Sequence, residues 1–165
     1  MAIKRIFKHL LYPQWRVGRA FPPATMDRIE LAVTASERLH NGEIRFAVEG
    51  ALHSTPLFRG ISARQRAAQV FAELGVWDTA ANNGVLIYLL LADRDVEIVA
   101  DRGFNGRVSP AQWESICREM EVLFASGEFE AGALVGIERI HALLKQHFPA
   151  QGDNPNELPN RPVRV

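Results

Sequence analysis

Between Asn82-Asn83 and Asp93-Arg94-Asp95 the chain runs from Gly84 to Ala92 (Gly-Val-Leu-Ile-Tyr-Leu-Leu-Leu-Ala) without a charge. The run is about half as long as a membrane-spanning helix must be, and turn-forming or charged residues bound it at both ends. It therefore reads as a strand buried on both faces, which needs a layer of structure above it and another below. The rest of the chain has to supply those layers.

Val96 to Asp101 follows the charged turn at once and is expected to fold back as an antiparallel hairpin partner. Upstream, Glu43 to Glu49 alternates Ile44, Phe46 and Val48 with polar or small neighbours, as a strand covered on at least one face does. A polar, flexible connection through His53, Ser54, Thr55, Pro56 and Gly60 leads to Ser62 and Gln65, which match a helix capping box. Ala63, Ala67, Val70, Phe71 and Leu74 then recur at helical spacing up to Gly75, a C-cap residue. Strand, helix, strand in this order implies a right-handed crossover between parallel neighbours.

Helices are also expected from Thr25 to Asn41-Gly42, with Met26, Ile29, Val33 and Leu39 on one face, and from Ser109-Pro110, where Gln112 completes a second capping box, to Gly127. A last helix spans about residues 130–146, with Ala133, Ile137, Ile140 and Leu144 on its apolar face. The expected architecture is an α/β fold, a three-layer α/β/α sandwich around a central mixed, mostly parallel sheet. Residues 23–149 form this domain, residues 1–22 a basic-aromatic arm, and residues 150–165 an Asn- and Pro-rich tail that is extended or disordered.

At 165 residues the chain is long enough for one domain with a substantial core. Its 19 basic and 19 acidic side chains balance, so no overall field draws it to nucleic acid. Cys117 is the single cysteine, which rules out an internal disulfide or a Cys-rich zinc site; on the apolar face of its helix it reads as an inert thiol. Lys8 and His9 interrupt the first apolar residues before they reach signal-peptide length, so a cytoplasmic location is expected. The arm carries Lys4, Arg5, Lys8, Arg16 and Arg19 among Ile6, Phe7, Leu10, Leu11 and Trp15. It is expected to form a short amphipathic helix that either packs on the domain or makes peripheral contact with the inner membrane.

With two parallel strands and a returning third, the starts of the first two and the end of the third share one edge of the sheet. That edge gathers Glu37, His40, Asn41, Glu43, Asn82, Asn83, Asp101 and Arg102. Oxygens of Glu37, Asn82, Asn83 and Asp101 would suit Ca²⁺, or Mg²⁺ in a tighter site. The alternative is that Asn82-Asn83 makes the turn before Gly84 while Glu37 and Asp101 pair with Arg38 and Arg102. At the opposite edge Glu49, Asp93, Arg94 and Asp95 read as solvated hairpin surface, a ligand site being the alternative. Trp77 is expected to close the core under its loop, the alternative being an exposed recognition anchor. His141 and His147 suit surface or helix-capping roles. No Gly-rich Lys-Ser/Thr loop, Cys-five-residue-Arg cradle or His-Glu-x-x-His pair is present.

The segments from Ser36-Glu37-Arg38-Leu39-His40-Asn41-Gly42-Glu43-Ile44 to Gly127-Glu128-Phe129 resemble the TPM domain family, the DUF477-type fold. Asn82-Asn83-Gly84-Val85-Leu86-Ile87, Asp93-Arg94-Asp95-Val96-Glu97-Ile98 and Asp101-Arg102-Gly103-Phe104 carry the resemblance by their order and spacing. The last stands where the family more usually has a Gly-aromatic-Gly turn. The resemblance covers about residues 25–148 and implies a short version of proteins that are typically exported or membrane-anchored. It also implies three kinds of role: a binding or adaptor domain for a membrane-protein partner such as the LemA type, calcium binding, and metal-dependent acid phosphatase activity on phosphomonoesters.

Overall fold

The computed structural model describes residues 2–165. Its strands are β1 (Glu43–Glu49), β2 (Gly84–Leu90), β3 (Asp95–Ala100) and β4 (Val163–Arg164), in the spatial order β3-β2-β1-β4. β1 and β2 are parallel with Glu43 opposite Gly84, β2 and β3 antiparallel with Val85 opposite Ala100, and β4 lies parallel to β1. The sheet is mixed and mostly parallel, as expected.

Seven α-helices are described: α1 (Ala2–Leu10), α2 (Trp15–Ala20), α3 (Pro23–Glu37), α4 (Ser54–Phe58), α5 (Ala63–Glu73), α6 (Pro110–Ala125) and α7 (Phe129–His147). Both expected capping boxes form, Ser62 with Gln65 on α5 and Ser109 with Gln112 on α6. Short α4 falls inside the connection expected to be irregular.

Strand alternation divides the core. Ile44, Phe46 and Val48 join Val85, Ile87 and Leu89 against apolar residues of α3, α6 and α7. Ala47, Leu86, Tyr88 and Leu90 face the other way, onto Leu57 of α4 and Ala63, Ala67 and Val70 of α5. Every residue of β2 is buried, the consequence foreseen for its uncharged run.

Two expectations change. Trp77 does not close the core: it is 55% exposed, and Val76 is fully buried instead. Gly75 adopts a left-handed turn at φ 65°, after which Val76 turns inward and Trp77 outward. The tail, treated as separate from the domain, runs extended but is fixed to it. Asn154 Nδ2 donates to the carbonyls of Glu37 and His40, both at 2.8 Å, and so satisfies the C-terminal end of α3. Arg45 donates to the carbonyls of Pro159 and Arg161, and Arg161 pairs with Asp27 and Glu30. The tail ends as the fourth strand of the sheet, so buried β1 carries Glu43, Arg45 and Glu49 on the face that the tail and α5 cover.

Candidate functional site: the polar edge and the pinned edge

The starts of β1 and β2 and the end of β3 do share one edge. Asn82 enters β2 in the left-handed conformation, φ 52°, which asparagine tolerates better than most side chains. Its carbonyl accepts from Gly103 N at 2.8 Å, and its Oδ1 accepts from Arg102 Nε at 2.9 Å. Asp101 Oδ1 accepts from the Arg102 amide at 2.7 Å and caps the 3₁₀ turn Arg102–Phe104. Asn83 Nδ2 donates to the Asn41 carbonyl at 2.7 Å, which ties the β2 entry to the β1 entry. The turn-making alternative thus describes Asn82, Asn83 and Asp101 well, except that Arg102 uses its side chain on Asn82 and its backbone on Asp101.

Glu37 lies apart from these three. Its Oε1 accepts from the Ile44 amide at 3.0 Å, and it lines a recess of about 220 Å³ with Glu43, Asn154, Asn156 and Asn160. Asp101 lines a different groove, of about 780 Å³, along the free side of β3 between α5 and α6. A Ca²⁺ site needs six to eight oxygens converging on one point. Among the described residues no three His, Cys, Asp or Glu side chains converge. Glu37 and Asp101 thus open onto separate recesses. Buried oxygens without hydrogen-bond partners remain on Glu37 (Oε2), Asn83 (Oδ1), Asp101 (Oδ2) and Asn160 (Oδ1).

Burial pushes the Glu37 carboxyl up to about 8; the Ile44 amide opposes this and the charge of Glu43 reinforces it. A carboxyl whose folded value lies above its ordinary 4.5 binds its proton more tightly when folded, so the fold loses stability as pH rises from about 4.5 to 8. Glu37→Gln keeps the acceptor for Ile44 N and cannot ionise. Urea unfolding of this variant is expected to show a flatter pH profile than the native chain and a gain on the order of 3 kcal/mol above pH 8. An unchanged profile would mean that Glu37 does not carry the effect.

Two imidazoles meet nearby, the rings of His40 and His141 having centroids 5.3 Å apart. Burial, with the neighbouring His141 adding to it, lowers His40 to about 4, so this ring is neutral at pH 7. The helical spacing of His141 gave no sign of this partner, which lies about a hundred residues away in sequence.

At the opposite edge Arg94 is exposed as expected, but Glu49 and Asp93 are held inside the fold. Glu49 is buried, with Oε2 accepting from Arg66 Nε at 2.9 Å and from Tyr88 OH at 2.7 Å; Arg66 also bonds Glu73. Asp93 accepts from Arg5 Nε and Nη2 through Oδ2 and from His9 Nε2, at 2.8 Å, through Oδ1. His9 Nδ1 accepts from the Leu52 amide, so the Asp93-facing nitrogen carries the proton. Burial works to raise the Asp93 carboxyl, but the bonds from Arg5 and His9 outweigh it and hold the group below its ordinary value. The arm is thus pinned by charge to the hairpin turn. The only hint in sequence was that acidic Asp93 and basic Arg5 both adjoin apolar runs.

Cys117 lines the β3 groove, and burial, with Glu97 and Glu121 nearby, pushes its thiol up to about 12. This is the inert thiol expected from its helix face. No helix among the described residues is long and apolar enough to cross a membrane.

Comparison with solved structures finds the BA42 protein from the psychrophilic bacterium Bizionia argentinensis similar at 31% identity, with a TM-score of 0.75 over 86% of this chain and 93% of that one. The N-terminal domain of a protein from P. gingivalis shares the fold at 18% identity and TM-score 0.62, over 78% of this chain and 81% of that one. Comparison with curated proteins gives no match. Since the family profile described as the TPM domain matches residues 18–143, most of the sheet and every helix packed on its α3–α6–α7 face, the chain belongs to the TPM domain family.

Proposed function

We propose that this TPM domain is a binding module that acts through a membrane or protein partner, such as the LemA-type partner implied by the resemblance, and that its polar edge is a structural clasp. The reading is supported by where the edge's oxygens go: Asp101 and Asn82 hold Arg102, Glu37 holds the Ile44 amide, and the two Glu43 oxygens accept from the Glu157 and Leu158 amides. Hydrolysis of a phosphomonoester needs a nucleophile activated by a neighbour or a water activated by metal. In this reading the candidate groups hold backbone amides and the Arg102 side chain instead.

A metal-dependent phosphatase is the second reading, favoured by the unpartnered oxygens of Glu37, Asn83 and Asp101. Calorimetric titration with Ca²⁺ and Mg²⁺, followed by p-nitrophenyl phosphate turnover in each metal, separates the two. The binding module is expected to give turnover indistinguishable from buffer, with Asp101→Asn making no difference. Turnover that persists through further purification and falls at least a hundredfold in Asp101→Asn would establish the phosphatase instead.

A further inference from the structure

Helix α1 turns most of its apolar residues outward, Ile6 alone packing on the core beneath it. Its polar residues Arg5 and His9 face the domain, where Asp93 holds them, and the His9 side chain is fully buried. Its apolar residues Ile3, Phe7 and Leu10, with Leu11 just beyond its end, point outward, each between 54% and 76% exposed, and Trp15 at the start of α2 is 61% exposed. A surface helix ordinarily buries the apolar stripe and wets the polar one. Here the Arg5–Asp93 ion pair and the His9–Asp93 hydrogen bond fix the helix so that an apolar stripe is presented to the outside, and such a stripe marks an interaction surface.

Charge identifies what fits it. Residues 1–26 carry Lys4, Arg5, Lys8, Arg16 and Arg19 and no Asp or Glu, so the remainder of this neutral chain holds an excess of five acidic groups. Lys4 and Lys8 are exposed on α1 itself, beside Phe7 and Leu11. Beside the stripe a groove of about 910 Å³ is lined by the four cations Lys8, Arg16, Arg19 and Arg94 against one carboxylate, Glu121, with Phe124 and Phe129 among its apolar lining. Apolar and aromatic side chains interleaved with cations on one outward face are what an anionic lipid interface accepts: the apolar groups enter the acyl boundary and the cations meet headgroup phosphates. The acidic excess elsewhere is repelled by the same surface and orients the molecule with α1 toward it.

We infer that α1, with Trp15 and the basic groove behind it, is a docking surface for an anionic phospholipid bilayer. The inference deepens the binding-module reading, on which it rests, by naming the partner; vesicle binding and phosphatase turnover are separate measurements, so failure of one is distinguishable from failure of the other. The family match begins at residue 18, so this surface lies largely outside the segment that defines the family.

The test is flotation of the full chain with vesicles of phosphatidylcholine alone and of phosphatidylcholine with phosphatidylglycerol, at low and at 0.5 M salt. Binding is expected to the anionic vesicles only and to weaken in high salt. Phe7→Asp with Leu11→Asp, both at exposed positions, should lower partitioning on the order of tenfold or more without changing the unfolding midpoint. Lys4→Glu with Lys8→Glu provides an independent variant that leaves the stripe intact and should also lose binding. No flotation of the native chain, equal flotation with neutral vesicles, or binding unchanged in both variants would overturn the inference. So would a dimer in sedimentation velocity that Phe7→Asp/Leu11→Asp abolishes, since the stripe would then be covered by a second copy.

Discussion

Gly84→Ala is expected to cost the fold about 3 kcal/mol or more, and Gly103→Ala a comparable amount, measured by urea unfolding. A Cβ on Gly84 would lie 2.0 Å from the carbonyl oxygen of Val76, and one on Gly103 would lie 2.3 Å from that of Asn82. The neighbours in both cases are backbone, which cannot rotate away as a side chain can. Gly84 is also held on two sides, by its register with Glu43 in β1 and by the bond from Asp101 N to its own carbonyl at 2.9 Å. Relief would therefore require β2 to shift against both neighbours. Gly18→Ala in α2 is the control: nothing lies within 4 Å of its Cβ position, and the helix should gain about 0.5–1 kcal/mol. Equal small effects at all three positions would show that the β2 entry is looser than its geometry.

Arg66→Met is expected to destabilise by about 3–5 kcal/mol, because it leaves Glu49 buried with its charge uncompensated. The Glu49 side chain is only 2% exposed and Tyr88 OH is its other hydrogen-bond partner, a phenol that burial and then the Glu49 charge push above its ordinary range. Glu49→Gln should cost clearly less, since the amide oxygen can still accept from Tyr88 and Arg66 keeps Glu73 at 2.9 Å. The double variant should be more stable than Arg66→Met alone, as both charges of the pair are then removed. A double variant no better than Arg66→Met would mean that packing of the arginine stem, not the charge, carries the cost.

Local signals were sufficient for most elements. The uncharged run at Gly84 required cover on both faces and found it, and Ser62 and Ser109 started their helices where a hydroxyl and a glutamine three residues on can satisfy free amides. The common edge of Asn82, Asn83 and Asp101 followed from strand order alone. The recess of Glu37 did not, because which face a helix-terminal carboxyl enters depends on what covers that face, and the cover is the tail more than a hundred residues away.

By itself the sequence determined the α/β sandwich, the pairing of its first three strands and the caps of α5 and α6, since each depends on period, turn chemistry and residues close in the chain. Only tertiary structure decided that α1 turns its apolar stripe outward, that half-buried Asp93 pins the arm and that the tail completes the sheet. Those outcomes depend on pairings such as Arg5 with Asp93 and Arg45 with Arg161, between residues roughly ninety or more positions apart. Periodicity reports that a helix has an apolar face; a charge pair formed across the fold decides where that face points.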